Sequence, residues 1–97
     1  MTRMAAVAIL MSCFVSVASA QDAQRLAAPC AICHGTDGKP AAKELVPLAG
    51  LPRDYIVSQM RALRDGQRQA TVMHQIAKGY TDAQIDALAA WFSTQKR

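Results

Sequence analysis

The hydrophobic pattern of the chain changes character near residue 20. From Met4 to Val17 almost every position is apolar, interrupted only by Ser12 and Ser16. Beyond that run, apolar residues recur at helical intervals. No stretch alternates apolar and polar side chains for long enough to read as a strand. Residues 22–28 form a short helical segment carrying Leu26, Ala27 and Ala28, stopped by Pro29. Residues 35–52 contain Gly35, Gly38, Pro40, Pro47, Gly50 and Pro52, and read as one long loop. From Asp54 to Asp65, Tyr55, Ile56, Met60 and Leu63 fall at helical spacing, and Gly66 ends the run. Ala70 to Lys78 predicts a further helix with Met73, Ile76 and Ala77 on one side and Gly79 just past its end. The last helix is signalled by Thr81 and Gln84 as a capping box, with Asp82 in the first turn. Ile85, Leu88, Ala89 and Phe92 then form an i, i+3, i+4, i+7 stripe. The pattern predicts an all-α chain of four short helices around one loop.

The opening run has a different meaning. Arg3 precedes it, and Ala18-Ser19-Ala20 follows it as a small-x-small site before the polar Gln21-Asp22. That order reads as a secretory signal peptide over residues 1–20, cleaved after Ala20. The apolar stretch is shorter than the ~20 residues a membrane span needs. Leu10-Met11-Ser12-Cys13 loosely resembles a lipobox, but the apolar run continues past Cys13. The expected product is a periplasmic domain over residues 21–97.

Composition sharpens this division. The chain has 97 residues and is 52% hydrophobic, which bounds it to one small domain and excludes large enzyme folds. Fifteen apolar residues lie in the first 20 positions, which leaves 35 in residues 21–97, 14 of them alanine. The 21 larger apolar side chains that remain make a marginal core for a domain of this size. Something besides the side chains must hold it together.

Cys30-Ala31-Ile32-Cys33-His34 supplies that element. C-x-x-C-H is the c-type haem attachment sequence. Two thiols one helical turn apart can add to the vinyl groups of one porphyrin, and the following imidazole can reach the iron. Three other chemistries fit less well. A thioredoxin-like redox pair belongs near a βαβ pattern, and no strand is predicted. A zinc site needs four ligands, and residues 21–97 offer only Cys30, Cys33, His34 and His74 at an unusual spacing. A disulfide across two residues would be strained in a helical turn. One covalent haem c also provides the broad apolar surface that the small core lacks, so the fold should depend on it.

A sixth iron ligand can come from Met60, Met73 or His74. Met60 shares the stripe of Ile56 and Leu63 and reads as core packing. Met73 follows His34 by 39 residues, beyond the middle helix, where the chain can return to the opposite haem face. On a helix the adjacent His74 points about 100° away from Met73, so one of the pair can face the iron. Met73 is the expected ligand, since a Met/His pair suits a saturated electron carrier. His74 reads as a solvated surface residue.

These features together resemble the class I cytochromes c over essentially all of residues 21–97. Cys30 to Gly35 matches the attachment motif with its trailing glycine. Pro47-Leu48-Ala49-Gly50 looks like the P-x-L-x-G loop of that family, in which the proline carbonyl accepts a hydrogen bond from the proximal histidine, here His34. Tyr55 and Met60 match the middle helix, Gly66-Gln67-Arg68 the approach to the axial methionine, and Ile85, Leu88, Ala89, Trp91 and Phe92 the C-terminal helix. The resemblance implies a small helical fold in which the terminal helices cross. It departs from the family pattern at Pro29, which lacks an N–H and restricts Ala28, so the N-terminal helix should end there. Thr71 to Asp82 is most similar to the haem subunit of flavocytochrome c sulfide dehydrogenase. That likeness implies electrons taken from a sulfide-oxidising flavoprotein and passed to another cytochrome. Similar segments in c4 and c553-like proteins imply a free soluble carrier as the alternative. A haem with an open site for ligands or catalysis is the third possibility.

The formal net charge is +4, and +3 over residues 21–97. Arg53, Arg61, Arg64 and Arg68 gather around the middle helix, either as a solvated face or as contacts. In the second case Arg68 is expected to pair with a haem propionate, and the others to dock a partner. Export separates the chain from nucleic acid.

Overall fold

The computed structural model describes residues 22–97. The segment read as a signal peptide lies outside the described residues. Every regular element described is helical. Helix α1 includes residues 22–27 and runs into a 3₁₀ turn at Ala28–Cys30, then into the single turn α2, Ala31–His34. A second 3₁₀ turn, Thr36–Gly38, opens the loop to α3, Arg53–Arg64. Two further helices follow: the short α4, Met73–Ala77, and α5, Asp82–Ser93.

Helix α1 ends just before Pro29, as expected, but the backbone stays in the helical region beyond it. Pro29 stands at the first positions of the 3₁₀ turn, where the missing N–H costs little, and Ala27, Cys30 and Ala31 all keep right-handed helical backbone. The chain tightens by one turn and continues. Ala27 and Cys30 therefore reach the same apolar cluster as Phe92 and Ala89 of α5. A cleft of about 190 Å³ between the two ends of the chain is lined by Gln24, Ala27 and Ala31 on one side and Trp91 and Phe92 on the other.

The core is built from the expected stripes. Ile56, Met60 and Leu63 of α3 meet Ile85, Leu88, Ala89 and Phe92 of α5, with Ala77 of α4 fully buried beside them. Met60 is a core residue, as its stripe implied. Helix α5 starts at the expected cap: Thr81 Oγ1 accepts from Gln84 N at 3.2 Å, and Thr81 N donates to Gln84 Oε1 at 3.0 Å. Helix α4 is shorter than its predicted span of Ala70 to Lys78. Val72 sits at φ −138°, outside helical backbone, so the helix begins at Met73.

The loop before α3 is pinned from its middle. Leu48 N and Ala49 N both donate to the Gly38 carbonyl, at 2.9 and 3.1 Å, and Gly50 N donates to Phe92 O at 2.9 Å. Gly38 holds φ +79°, and an added Cβ would stand 2.7 Å from Ala49 N and 3.0 Å from Phe92 Cδ1. Only glycine permits both the backbone and the approach.

Candidate functional site

The attachment motif folds as one helical turn. Cys30 is partly buried against the core and Cys33 is exposed, and the two thiols are not joined. His34 ends α2, and Gly35 at φ +81° turns the chain away. A Cβ on Gly35 would fall 2.0 Å from the Lys39 carbonyl, which explains why glycine follows the histidine.

His34 Nδ1 donates to a loop carbonyl at 2.7 Å, but the acceptor is Val46 O and not Pro47 O. The register explains the correction. In a P-x-L-x-G loop the acceptor stands two residues before the leucine, and two residues before Leu48 is Val46. Pro47 occupies the variable position instead. The function of the contact survives the change of residue. With Nδ1 engaged, the His34 ring is oriented and Nε2 keeps its lone pair for a metal.

On the opposite strip of chain, Met73 opens α4 and packs, partly buried, against the core cluster. His74 beside it is not the solvated residue expected. Its Nδ1 is buried without a hydrogen-bond partner. Arg68 lies on the exposed link between α3 and α4 and donates to Gln59 Oε1 of α3 at 2.7 Å. Arg61 and Arg64 are turned to α5: Arg64 Nη1 meets Asp82 Oδ1 at 2.7 Å, and Arg61 reaches Asp82 and Asp86 at 3.5 and 3.8 Å. Both arginines are thus tied to carboxylates on the surface of α5. Hydrogen bonding to Arg64 holds the Asp82 carboxyl below its ordinary value.

Two observations test whether the site suits a haem. The first is the donor set: two thiols, an oriented imidazole and a thioether, with no cluster of three or more His, Cys, Asp or Glu among the described residues to suit another metal. The second is the apolar surface. Ile32 of α2 is 87% exposed, Val46 of the loop 54% and Val72 before α4 51%, and Tyr55 and Ile76 are also exposed. Each strip of chain that carries a candidate ligand thus offers apolar surface with no protein partner, as a wrapper for a large flat apolar group requires. A cavity of about 520 Å³ is lined by Gly38, Val46, Pro47, Leu51 and Arg97.

A helical fold with this motif at its centre defines a c-type haem protein. Residues 20–96 match the Cytochrome c family, and the chain belongs to it. It is 42% identical over 99 residues to a thiosulfate dehydrogenase electron acceptor of Thiomonas intermedia, covering 99% of this chain and 45% of that protein. It is 38% identical over 68 residues to the cytochrome subunit of sulfide dehydrogenase of Chlorobaculum tepidum, covering 69% of this chain and 60% of that one. The solved cytochrome c4 of Acidithiobacillus ferrooxidans superposes with a TM-score of 0.64 at 42% identity, covering 67% of this chain and 37% of its own. The chain spans less than two thirds of the length of each of these relatives. Membership establishes a covalently bound haem c and an electron-carrying role. The single C-x-x-C-H allows one haem in these 97 residues.

Two residues of the site were not visible in the sequence. Val46 was hidden by the neighbouring proline, although its distance from Leu48 marked it. Tyr80 carries no local signal: its hydroxyl donates to Leu26 O at 3.1 Å, across 54 residues.

Proposed function

We propose that Cys30 and Cys33 carry the two thioethers and that His34 and Met73 are the axial ligands. The protein is then an exported one-electron carrier in the periplasm, following the signal peptide read at residues 1–20. The observation that carries this reading is the hydrogen bond from His34 Nδ1 to Val46 O at 2.7 Å, which leaves Nε2 directed as a ligand directly after the second cysteine. Bound haem c supplies a single-electron couple at its iron. His34 would hold the iron through Nε2, with its ring oriented by the Val46 carbonyl. Met73, at the start of α4, would supply a thioether ligand to the iron. Among the described residues no helix is long and apolar enough to cross a membrane.

Its donor is a sulfide-oxidising flavoprotein, and its acceptor another cytochrome. The likeness to a sulfide dehydrogenase cytochrome subunit supports this reading. The likeness to a thiosulfate dehydrogenase electron acceptor favours a second reading, a free carrier serving a different sulfur-oxidising donor. The purified ferric holoprotein should be mixed with sulfide and the flavoprotein from the same source. Rapid haem reduction with co-elution on gel filtration supports the subunit reading. Reduction without co-elution contradicts the subunit reading, and no reduction contradicts this donor and favours the second reading.

A further inference from the structure

The segment that carries Met73 is fastened to the rest of the chain mainly at its far end. Helix α4 has no side-chain cap at its start, and its first turn closes on the exposed Val72, whose carbonyl takes Gln75 N and Ile76 N. Its end runs on through a tight turn: Gly79 N donates to Ile76 O at 3.1 Å and Tyr80 N to Ala77 O at 3.2 Å. Met73, Ala77 and Tyr80 all belong to the core cluster. Among the described residues, one hydrogen bond joins residues 69–80 to any other part of the chain. The Tyr80 hydroxyl donates to the Leu26 carbonyl at 3.1 Å, in partly buried surroundings. Leu26 lies in α1, whose helical path continues into the turn that carries Cys30, Cys33 and His34.

That bond spans the two segments that supply the proposed iron ligands. Apolar packing is non-directional, so by itself it fixes the place of a five-residue helix poorly. A hydrogen bond has a narrow range of distance and angle, and in partly buried ground it is weakly screened. Local opening draws on elements with few fixed contacts, and α4 is such an element. We propose that Tyr80 is a positioning residue for the ligand set: its bond to Leu26 O holds α4 to the attachment helix and so opposes release of Met73 from the haem iron. The proposal rests on the reading that Met73 is a ligand. An outside ligand reaches the iron only in molecules that have released Met73, so its apparent affinity scales with that fraction. Loss of one such bond should raise the affinity by roughly 2- to 10-fold.

The test is imidazole titration of the ferric holoprotein at pH 7, followed in the haem spectrum. Tyr80→Phe deletes the hydroxyl, keeps the ring, and should bind imidazole more tightly than wild type. Leu88→Val weakens the core within α5 and leaves the Tyr80 bond in place, so it should bind imidazole as wild type does. Equal affinities in wild type and Tyr80→Phe, or the same rise in Leu88→Val as in Tyr80→Phe, would overturn the proposal. Should Tyr80→Phe fold poorly, the opposite change decides. Incorporation of 3-fluorotyrosine in a Tyr55→Phe background labels Tyr80 alone and makes its hydroxyl a stronger donor. Weaker imidazole binding than in unlabelled Tyr55→Phe supports the proposal, and equal or tighter binding overturns it. The ligand reading has its own signature. A wild-type ferric spectrum without the long-wavelength Met–iron band would refute that reading, and the proposal with it, whatever the titrations show.

Discussion

Gly38 shows how a single residue positions the site from a distance. Its carbonyl takes the N–H groups of Leu48 and Ala49, which sets the loop that presents Val46 O to His34. Its left-handed backbone costs another residue about 1–2 kcal/mol, and the close approach to Ala49 N and Phe92 adds overpacking of about 1–3 kcal/mol. Gly38→Ala should therefore destabilise the holoprotein by roughly 2–5 kcal/mol in urea titration followed at the haem absorbance. The sequence marked Gly38 as a turn residue but not as the anchor of the proximal loop, because its partners are ten residues on and in the last helix. The cysteines and His34 were legible because their chemistry is local and their spacing is fixed by one porphyrin. Val46 was missed for a different reason. A proline side chain drew the reading, whereas the interaction uses a backbone carbonyl that any residue supplies.

Helix boundaries followed the sequence where side chains make the caps. The Thr81–Gln84 box is reciprocal, and α5 begins where it predicts. Helix α4 has no side-chain cap, and its start is set by the non-helical Val72, so the spacing of Met73, Ile76 and Ala77 overstated its length. Between α3 and α5 the charged pairs repeat a simple logic: arginines in the last turn of one helix meet Asp82 in the first turn of the other. The Arg64 hydrogen bond, the largest cause, depresses the Asp82 carboxyl in the folded protein. A depressed carboxylate stabilises above its unfolded value and loses that contribution as pH falls through the folded value. Thermal melts of Asp82→Asn should accordingly show a shallower loss of Tm than wild type below about pH 4. The difference should be small and shrink with added salt, because the pair is exposed. Parallel curves at low ionic strength would show that the pair does not contribute.

At the scale of the whole molecule, the modest apolar content and the exposed apolar residues have one explanation. The protein core is a thin α3–α5 layer whose alanines, Ala27, Ala77 and Ala89, let the elements approach closely. Ile32, Val46 and Val72 are exposed on three separate strips of chain, and a haem held between those strips would give them a common partner. The all-α class and the order of the main helices were legible from periodicity. The joining of α1 to α2 through Pro29 was not, since a proline at the start of a 3₁₀ turn and one that ends a helix look alike in sequence. The haem is proposed to be held on both faces, by His34 and Met73. The most direct test is the optical spectrum of ferric Met73→Ala beside wild type and His74→Ala. Met73→Ala alone should lose the long-wavelength charge-transfer band of a Met–iron bond and gain imidazole binding, with covalent haem unchanged. A wild-type spectrum in Met73→Ala, or loss of the band only in His74→Ala, would contradict it.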